Sequence, residues 1–503
     1  MNSRLLTLLL GTLALASCEQ RETTATPKAP PAPVADIPAP DLTHSVVRVN
    51  TTYQRWNPGQ PWEKLDPRQR RSLGAVITGN KVLTTAEMVA DSTFIELEST
   101  DGRKLTPATV EAVDYEANLA LLTTDDEEFT EDLEPLELAD ITKPGDALDI
   151  IQIEDSGIPL LTHGLIQSVD VTSDFLPGQY FLTYELKASM QTAASSFTLP
   201  ALHEGKLAGL LTSYSSSDQL SDITATEIVR NFLHDAADGH YDGFPSLGIA
   251  TAPLDDPKFR GWLGLEPKDG GIYVSSVLKG GAAEEAGIQK GDVITSIDGH
   301  EVDQTGYFLH PVYGRLFWSH LVRGAKALGS TVPLKLVRDG EPMEVNATLT
   351  LRGEPLVPTE TFGQDPKFLI KGGLVFQELT RPLLKSFGKD WMETAPLNLL
   401  APLESPEEFE ERMDRVVFLA GVIPTPATIG YESLRNLIVH EVNGQPVRDI
   451  KTLSAAFDQV PADGLHSIRF EEEDFPIELD ENVATLVDGQ LLQRGISRLS
   501  RLE

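Results

Sequence analysis

The sequence has almost no cysteine: one residue, Cys18, in 503. A single thiol excludes an intramolecular disulfide framework and a thiolate metal cluster. Basic residues are also scarce, 41 Lys and Arg against 76 Asp and Glu, for a formal charge of −35. That field repels phosphates, so nucleic acid is not expected as a partner, and anionic membrane surfaces are disfavoured. Beyond Cys18 no stretch approaches the roughly 20 apolar residues of a membrane span. Motifs of cofactor chemistry are missing too. There is no GxxxxGK[ST] phosphate loop, no HExxH and no dinucleotide-binding glycine pattern between a strand and a helix. The ten histidines are dispersed, so no metal site and no cofactor are expected. What is present is an ordinary globular composition, 41% hydrophobic with 39 glycines. It excludes wholesale disorder, a collagen-like fibre and a multi-span membrane protein. The length fits roughly three to four domains.

Met1–Leu15 holds one Arg, Arg4, followed by the apolar run Leu5–Leu10 that continues through Leu13 and Leu15. With Leu15-Ala16-Ser17-Cys18 it resembles a bacterial lipoprotein signal, in which small residues admit the peptidase and the thiol takes a diacylglyceryl group. The expectation is a signal peptide over 1–17, lipidation at Cys18 and a location at the bacterial cell envelope. Residues 18–41 carry Pro27, Pro30, Pro31, Pro33, Pro38 and Pro40 and few large apolar residues, the pattern of an extended tether.

Over residues 42–236 short apolar runs alternate with turn residues, which predicts an all-β barrel or sandwich. The carboxylates of Asp125–Glu134 lack the alternating spacing and central glycine of a calcium loop and read as a solvated loop. Gly74-Ala75-Val76-Ile77 and Val82-Leu83-Thr84-Thr85-Ala86-Glu87-Met88-Val89 resemble the first barrel of a trypsin-like HtrA/Deg protease. Asp114-Tyr115-Glu116-Ala117-Asn118-Leu119-Ala120-Leu121-Leu122 resembles the segment that carries the acid of that family's triad. Gln191–Leu202 with Gly205–Leu210 resembles its nucleophile loop, and Ile223–His234 its closing helix. The resemblance implies a double β-barrel followed by two PDZ-like α/β modules, over 241–352 and 360–503, the latter of the plant Deg type.

The triad positions implied by the resemblance are all changed. Glu87 stands at the base, Asn118 at the orienting acid and Phe197 at the nucleophile; a shift of one residue offers Ser196 instead. Ser195, Thr198 and Leu199 replace glycines of the oxyanion loop. No histidine lies between His44 and His163. A serine without an imidazole is a weak nucleophile, and a carboxylate is a poor base for its hydroxyl. The expected function is therefore a pseudoprotease that binds free C-termini or unfolded segments, as scaffold, holdase or adaptor in protein quality control. Two alternatives stay open: an endopeptidase with a non-standard site, and a structural oligomer held by PDZ–PDZ contacts.

In the first PDZ-like segment, Pro245-Ser246-Leu247-Gly248-Ile249 matches a carboxylate-binding loop. Ala282–Ile288, Gly291–Ile294 and Ile297-Asp298-Gly299 read as helix, glycine cap, strand and tight turn. Leu316, Phe317 and His320, at helical spacing within Tyr313–Leu321, are expected on the helix beside a groove formed with Ser246, Leu247, Gly248 and Ile249. In the second, Gly373-Leu374-Val375-Phe376 is the candidate loop and Lys451–Val460 the groove helix, with an insertion over Trp391–Gly430 that contains a helix-like stretch Pro406–Arg415. Trp56, Pro61 and Trp62 lie in a loop that, in Deg relatives, contributes to trimer contacts, so a homo-oligomer is expected; local packing onto the barrel is the alternative.

Overall fold

The computed structural model describes residues 42–503, except 155, 174, 191–197, 267, 268 and 472. The leader 1–17, Cys18, the tether 18–41 and the positions Ser195, Ser196 and Phe197 lie outside the described residues.

The first barrel is built on strand Val46–Tyr53. It pairs antiparallel with Arg68–Ile77, Val46 opposite Ala75 and Tyr53 opposite Arg68, and on its other side with Ser92–Glu98. The two-residue period of a strand sorts its side chains. Val47 and Val49 enter a cluster with Val76, Val82, Leu97 and Leu122, whereas Val46 turns the other way, into a cluster with Ala75 and Leu83. Seven strands complete the sheet. The second barrel is closed, with six strands in the order Ala147–Ile153, Pro159–Thr172, Phe181–Lys187, Leu220–Ala225, Lys206–Ser215, Leu199–His203. Helix Thr226–Asp235 covers it through Ile228, Val229 and Phe232. This helix starts three residues after the expected Ile223, because Ile223 pairs with Tyr184 and Leu211 in the sheet.

The next module is a sheet in the order Ile249–Ala252, Ile272–Val277, Val293–Ile297, Thr331–Arg338, Glu341–Thr348. The expected helix over Tyr313–Leu321 is not formed. Tyr307–His310 and Gly314–Phe317 make a β-hairpin, Tyr307 opposite Phe317, and only His320–Arg323 is helical. Tyr, Phe, Leu and His around a Pro-containing turn favour a strand pair over a helix. The hairpin rests on the barrel domain: the Tyr313 hydroxyl donates to Glu227 Oε1, and Tyr184 of the second barrel donates to Glu227 Oε2 at 2.9 Å.

In the last module the sheet runs Ile477–Asp480, Leu465–Phe470, Leu437–Val442, Val417–Val422, Leu374–Glu378, Phe368–Lys371, Ser500–Arg501. Strand Val417–Val422 lies inside the segment expected as an insertion, so that segment supplies part of the sheet. Within Pro406–Arg415 only Pro406–Glu408 is helical, as a 3₁₀ turn. Helix Ile450–Asp458 opens with a capping box between Asp449 and Thr452. The Trp56–Lys64 hairpin of the first barrel docks on this module. Trp62 is buried against Phe368, 6.2 Å between ring centres, and the Arg501 guanidinium lies 4.2 Å from the centre of the Trp56 ring. These aromatics pack on the last module of their own chain instead of the barrel.

Candidate functional site: the interbarrel cleft and the first groove

The cleft forms where the two barrels face each other. Thr85, at the end of strand Lys81–Thr84, touches Thr198, which leads into strand Leu199–His203, with 2.7 Å between the hydroxyl oxygens. Leu73 N–H donates to Thr198 O at 3.3 Å. Glu87 follows within one turn, on the short helix Ala86–Val89, with its side chain exposed. Asn118 is buried and sits at φ +55°, a left-handed conformation that asparagine tolerates better than most residues. Its Oδ1 accepts the Glu87 N–H at 2.9 Å. The two positions that the resemblance assigns to base and acid thus meet, and the Asn118 side chain ties the backbone of the helix.

Among the described residues no hydrogen bond or ion pair joins a histidine to Glu87 or Asn118. His44 precedes the first strand, and its backbone carbonyl accepts from Glu134 N–H at 2.9 Å. His163 stands exposed on strand Pro159–Thr172 and its Nδ1 meets Asp149. Arg70 lies over the Tyr53 ring at 4.1 Å, in the field of Glu87 and Asp91, and burial lowers its pKa. Four residues before Asn118, Asp114 is fully enclosed and accepts from the Tyr241 hydroxyl and from Ala117 N–H, each at 2.6 Å. Burial pushes its carboxyl above the usual range. Between them, Glu116 reaches the Arg323 guanidinium of the next module, with Arg352 at 3.9 Å. The acid-bearing loop is therefore fastened to the first PDZ-like module.

That module carries a groove of about 530 Å³. Its floor strand, Ile249–Ala252, ends the sheet and, among the described residues, pairs only with Ile272–Val277, which leaves its outer edge open there. An open edge accepts an extended peptide as a further strand. Ser246, Leu247, Gly248 and Ile249 line the groove as expected, and Phe317 does so from its hairpin. Leu316 does not: on the opposite face of that strand it is fully buried. His320 does not either. It is 8% exposed, its ring 5.8 Å from that of His310, and burial pushes its pKa down to about 4. A helical reading put all three on one face; a strand turns Leu316 and Phe317 to opposite faces. Trp318, Val322 and Arg323 line the groove and were not anticipated, nor were Gln179 and Tyr180 of the second barrel. Trp318 lies just past the strand, so neither a helical nor a strand period marks it as a groove residue. Nothing local marks Gln179 and Tyr180, which arrive from far along the chain.

The loop itself is tightly built. Gly248 has φ +71°, and a Cβ there would lie 3.3 Å from Gly281 Cα. Leu247 O accepts from Ala283 N–H and Gly248 O from Leu278 N–H, both at 2.8 Å. Both carbonyls are thus engaged by the module's own backbone. Gly248 N–H points at the Ser246 hydroxyl, 3.0 Å away, which a ligand carboxylate can replace.

The second candidate loop is occupied. Leu374, Val375 and Phe376 lie on a strand bordered on one side by Val417–Val422 and on the other by Phe368–Lys371. Leu374 and Phe376 are fully buried. Gly372 and Gly373, at φ +62° and +104°, form the two-residue turn that folds Phe368–Lys371 back onto this edge. The chain's own strand takes the place that a peptide would take, so Gly373–Phe376 is corrected from a ligand loop to an internal hairpin.

Comparison with known proteins agrees with this architecture. The PDZ domain family matches residues 245–349 and again residues 357–496. Protease Do-like 4, mitochondrial, of Arabidopsis thaliana is 28% identical over 414 residues, 82% of this chain and 76% of that protein. Protease Do-like 2, chloroplastic, of the same plant is 28% identical over 424 residues, covering 82% and 68%. Among solved structures, the HtrA-type protease AlgW with decapeptide matches 62% of this chain and 97% of its own, at 20% identity and a TM-score of 0.47. With two barrels in front, two PDZ domains behind and Do-like relatives along four fifths of its length, the chain belongs to the HtrA/Deg type of trypsin-like, PDZ-bearing proteins.

Proposed function

We propose that this protein is an HtrA/Deg-type pseudoprotease, held at the cell envelope by a lipid on Cys18, that binds polypeptide C-termini or unfolded segments through its first PDZ domain. Its work is that of a scaffold, holdase or adaptor in protein quality control. One observation carries the reading: Asn118 is bonded to the Glu87 backbone where the positions that the resemblance assigns to base and acid meet, and neither position holds a histidine. A hydroxyl is a weak nucleophile unless a base takes its proton, and the position that the resemblance assigns to that base holds Glu87.

The test is direct. The purified chain should neither cleave unfolded casein above background nor react with a fluorophosphonate probe. Labelling at Ser195, Ser196 or Thr198 refutes the pseudoprotease reading and favours an endopeptidase with an unusual site. For the anchor, Cys18→Ala should release the protein from the membrane fraction. Among the described residues no helix is long and apolar enough to cross a membrane. Persistence in salt-washed membranes would place the attachment elsewhere.

A second reading has its own support. The peptide edge of the second PDZ domain is filled by Phe368–Lys371, and the Trp56–Lys64 hairpin docks on the same domain. That domain serves assembly, not capture, and the sharing of roles between the two PDZ domains follows.

A further inference from the structure

The first PDZ groove is not walled by its own domain alone. Along strand Ile249–Ala252 the side chains alternate. Thr251 faces inward, where its hydroxyl accepts from Trp318 Nε1 at 3.3 Å, and Ile249 packs against the core. Ala250 points to the other face and is exposed. The same groove is bordered by a segment of the second PDZ domain, in which Pro406 and Glu407 of the 3₁₀ turn Pro406–Glu408, and Glu410 after it, line the groove. The segment is held against the first PDZ domain by two lysines. Lys290 Nζ lies 2.8 Å from Glu407 Oε1, and Lys279 Nζ donates to Glu410 O at 3.4 Å.

The charge on this wall is acidic. Glu410 is partly buried beside Glu407 and Glu284, with Lys279 as its opposing charge, and desolvation comes first among the causes that raise its pKa. Lys279 spends its hydrogen bond on the Glu410 backbone carbonyl. On the inner side, Arg323 and Arg352 both engage Glu116. The groove thus has an apolar inner face of Leu247, Phe317, Trp318 and Val322 and an outer side where Glu407 and Glu410 stand with Lys290, which is paired with Glu407.

A peptide strand added to an antiparallel edge sends alternate side chains to opposite faces. Its last residue enters the apolar pocket; its penultimate residue, and the one two before that, turn toward Ala250 and the acidic wall. We propose that the groove is a composite site shared by both PDZ domains, and that it selects polypeptide C-termini with an apolar last residue and Lys or Arg at the penultimate position, facing Glu407 and Glu410. This inference rests on the reading of the first PDZ domain as a C-terminus binder. The second PDZ domain, its own edge closed, contributes specificity to its neighbour's groove.

Calorimetry on the whole chain tests it with three decapeptides that differ only in a penultimate Lys, Ala or Glu before a terminal Val. The Lys peptide should bind about tenfold more tightly than the Glu peptide at low salt, and the gap should narrow as ionic strength rises. In the double variant Glu407→Gln, Glu410→Gln the three peptides should come within about twofold of one another, with the Ala peptide unchanged from the unaltered chain. Equal affinities for the Lys and Glu peptides, with binding still abolished by terminal amidation, overturn the composite wall and leave the C-terminus reading standing. No binding of any free C-terminus overturns that reading, and the inference with it.

Discussion

The burial of His320 leads to a sharp expectation about acid. Its ring lies at the junction of the first PDZ domain and the barrels. It faces the His310 ring, the Glu227 carboxylate and the backbone of Gly324, where an added Cβ would collide with it. Nδ1 has no hydrogen-bond partner among the described residues. Desolvation, with His310 alongside, depresses the pKa from 6.5 to about 4, and Glu227 offsets only part of this. A base depressed on folding binds protons more readily unfolded. Its favourable contribution is therefore complete above pH 6.5 and is lost as pH falls toward 4. Linkage puts the loss at about 2 kcal/mol by pH 5 and about 3 kcal/mol by pH 4. His310 is depressed in the same direction, also by burial, and adds to it. The assay is twofold: NMR titration of labelled histidine rings, assigned with His320→Gln, and urea unfolding of both proteins from pH 7 to 4.5. The His320 ring should stay neutral to near pH 4, and His320→Gln should gain on the unaltered protein as the pH drops. A ring that titrates near 6.5, or a stability difference flat with pH, refutes the argument.

Other expectations follow from the same geometry. Gly248→Asp brings a Cβ into a left-handed position 3.3 Å from Gly281 Cα and a negative charge to the carboxylate loop. Binding of a free C-terminal peptide should fall at least about tenfold by calorimetry, with Gly248→Ala isolating the backbone share; equal affinity would remove this loop from the site. Trp62→Ala removes a buried ring from the contact with Phe368 and should cost about 3 kcal/mol in the docking of the Trp56–Lys64 hairpin. Hydrogen exchange at Phe368–Lys371 should rise accordingly; unchanged protection there would mean that the hairpin does not stabilise the second PDZ domain.

The order of domains was legible because local signals repeat it: alternating apolar strands, glycine-capped turns and the run Ala282–Gly299 are each set by short-range backbone preferences. The same locality made Glu87 and Asn118 legible, since each is fixed by its position beside a strand that the apolar pattern marks. It misled at Tyr313–Leu321, where Leu316, Phe317 and His320 fit a helical spacing over one turn and a β-hairpin as well. Tertiary packing settled that choice, because Tyr313 finds Glu227 only from the hairpin turn. It also decided the second PDZ loop: whether a strand edge is open depends on what folds back on it, and Phe368–Lys371 does. The sequence alone determined that no histidine lies between His44 and His163 and that the chain is strand-built. Only the tertiary structure decided that Gln179, Tyr180, Glu407 and Glu410 share one groove with Gly248, because contacts between residues so far apart are set by how finished domains pack and not by any local pattern.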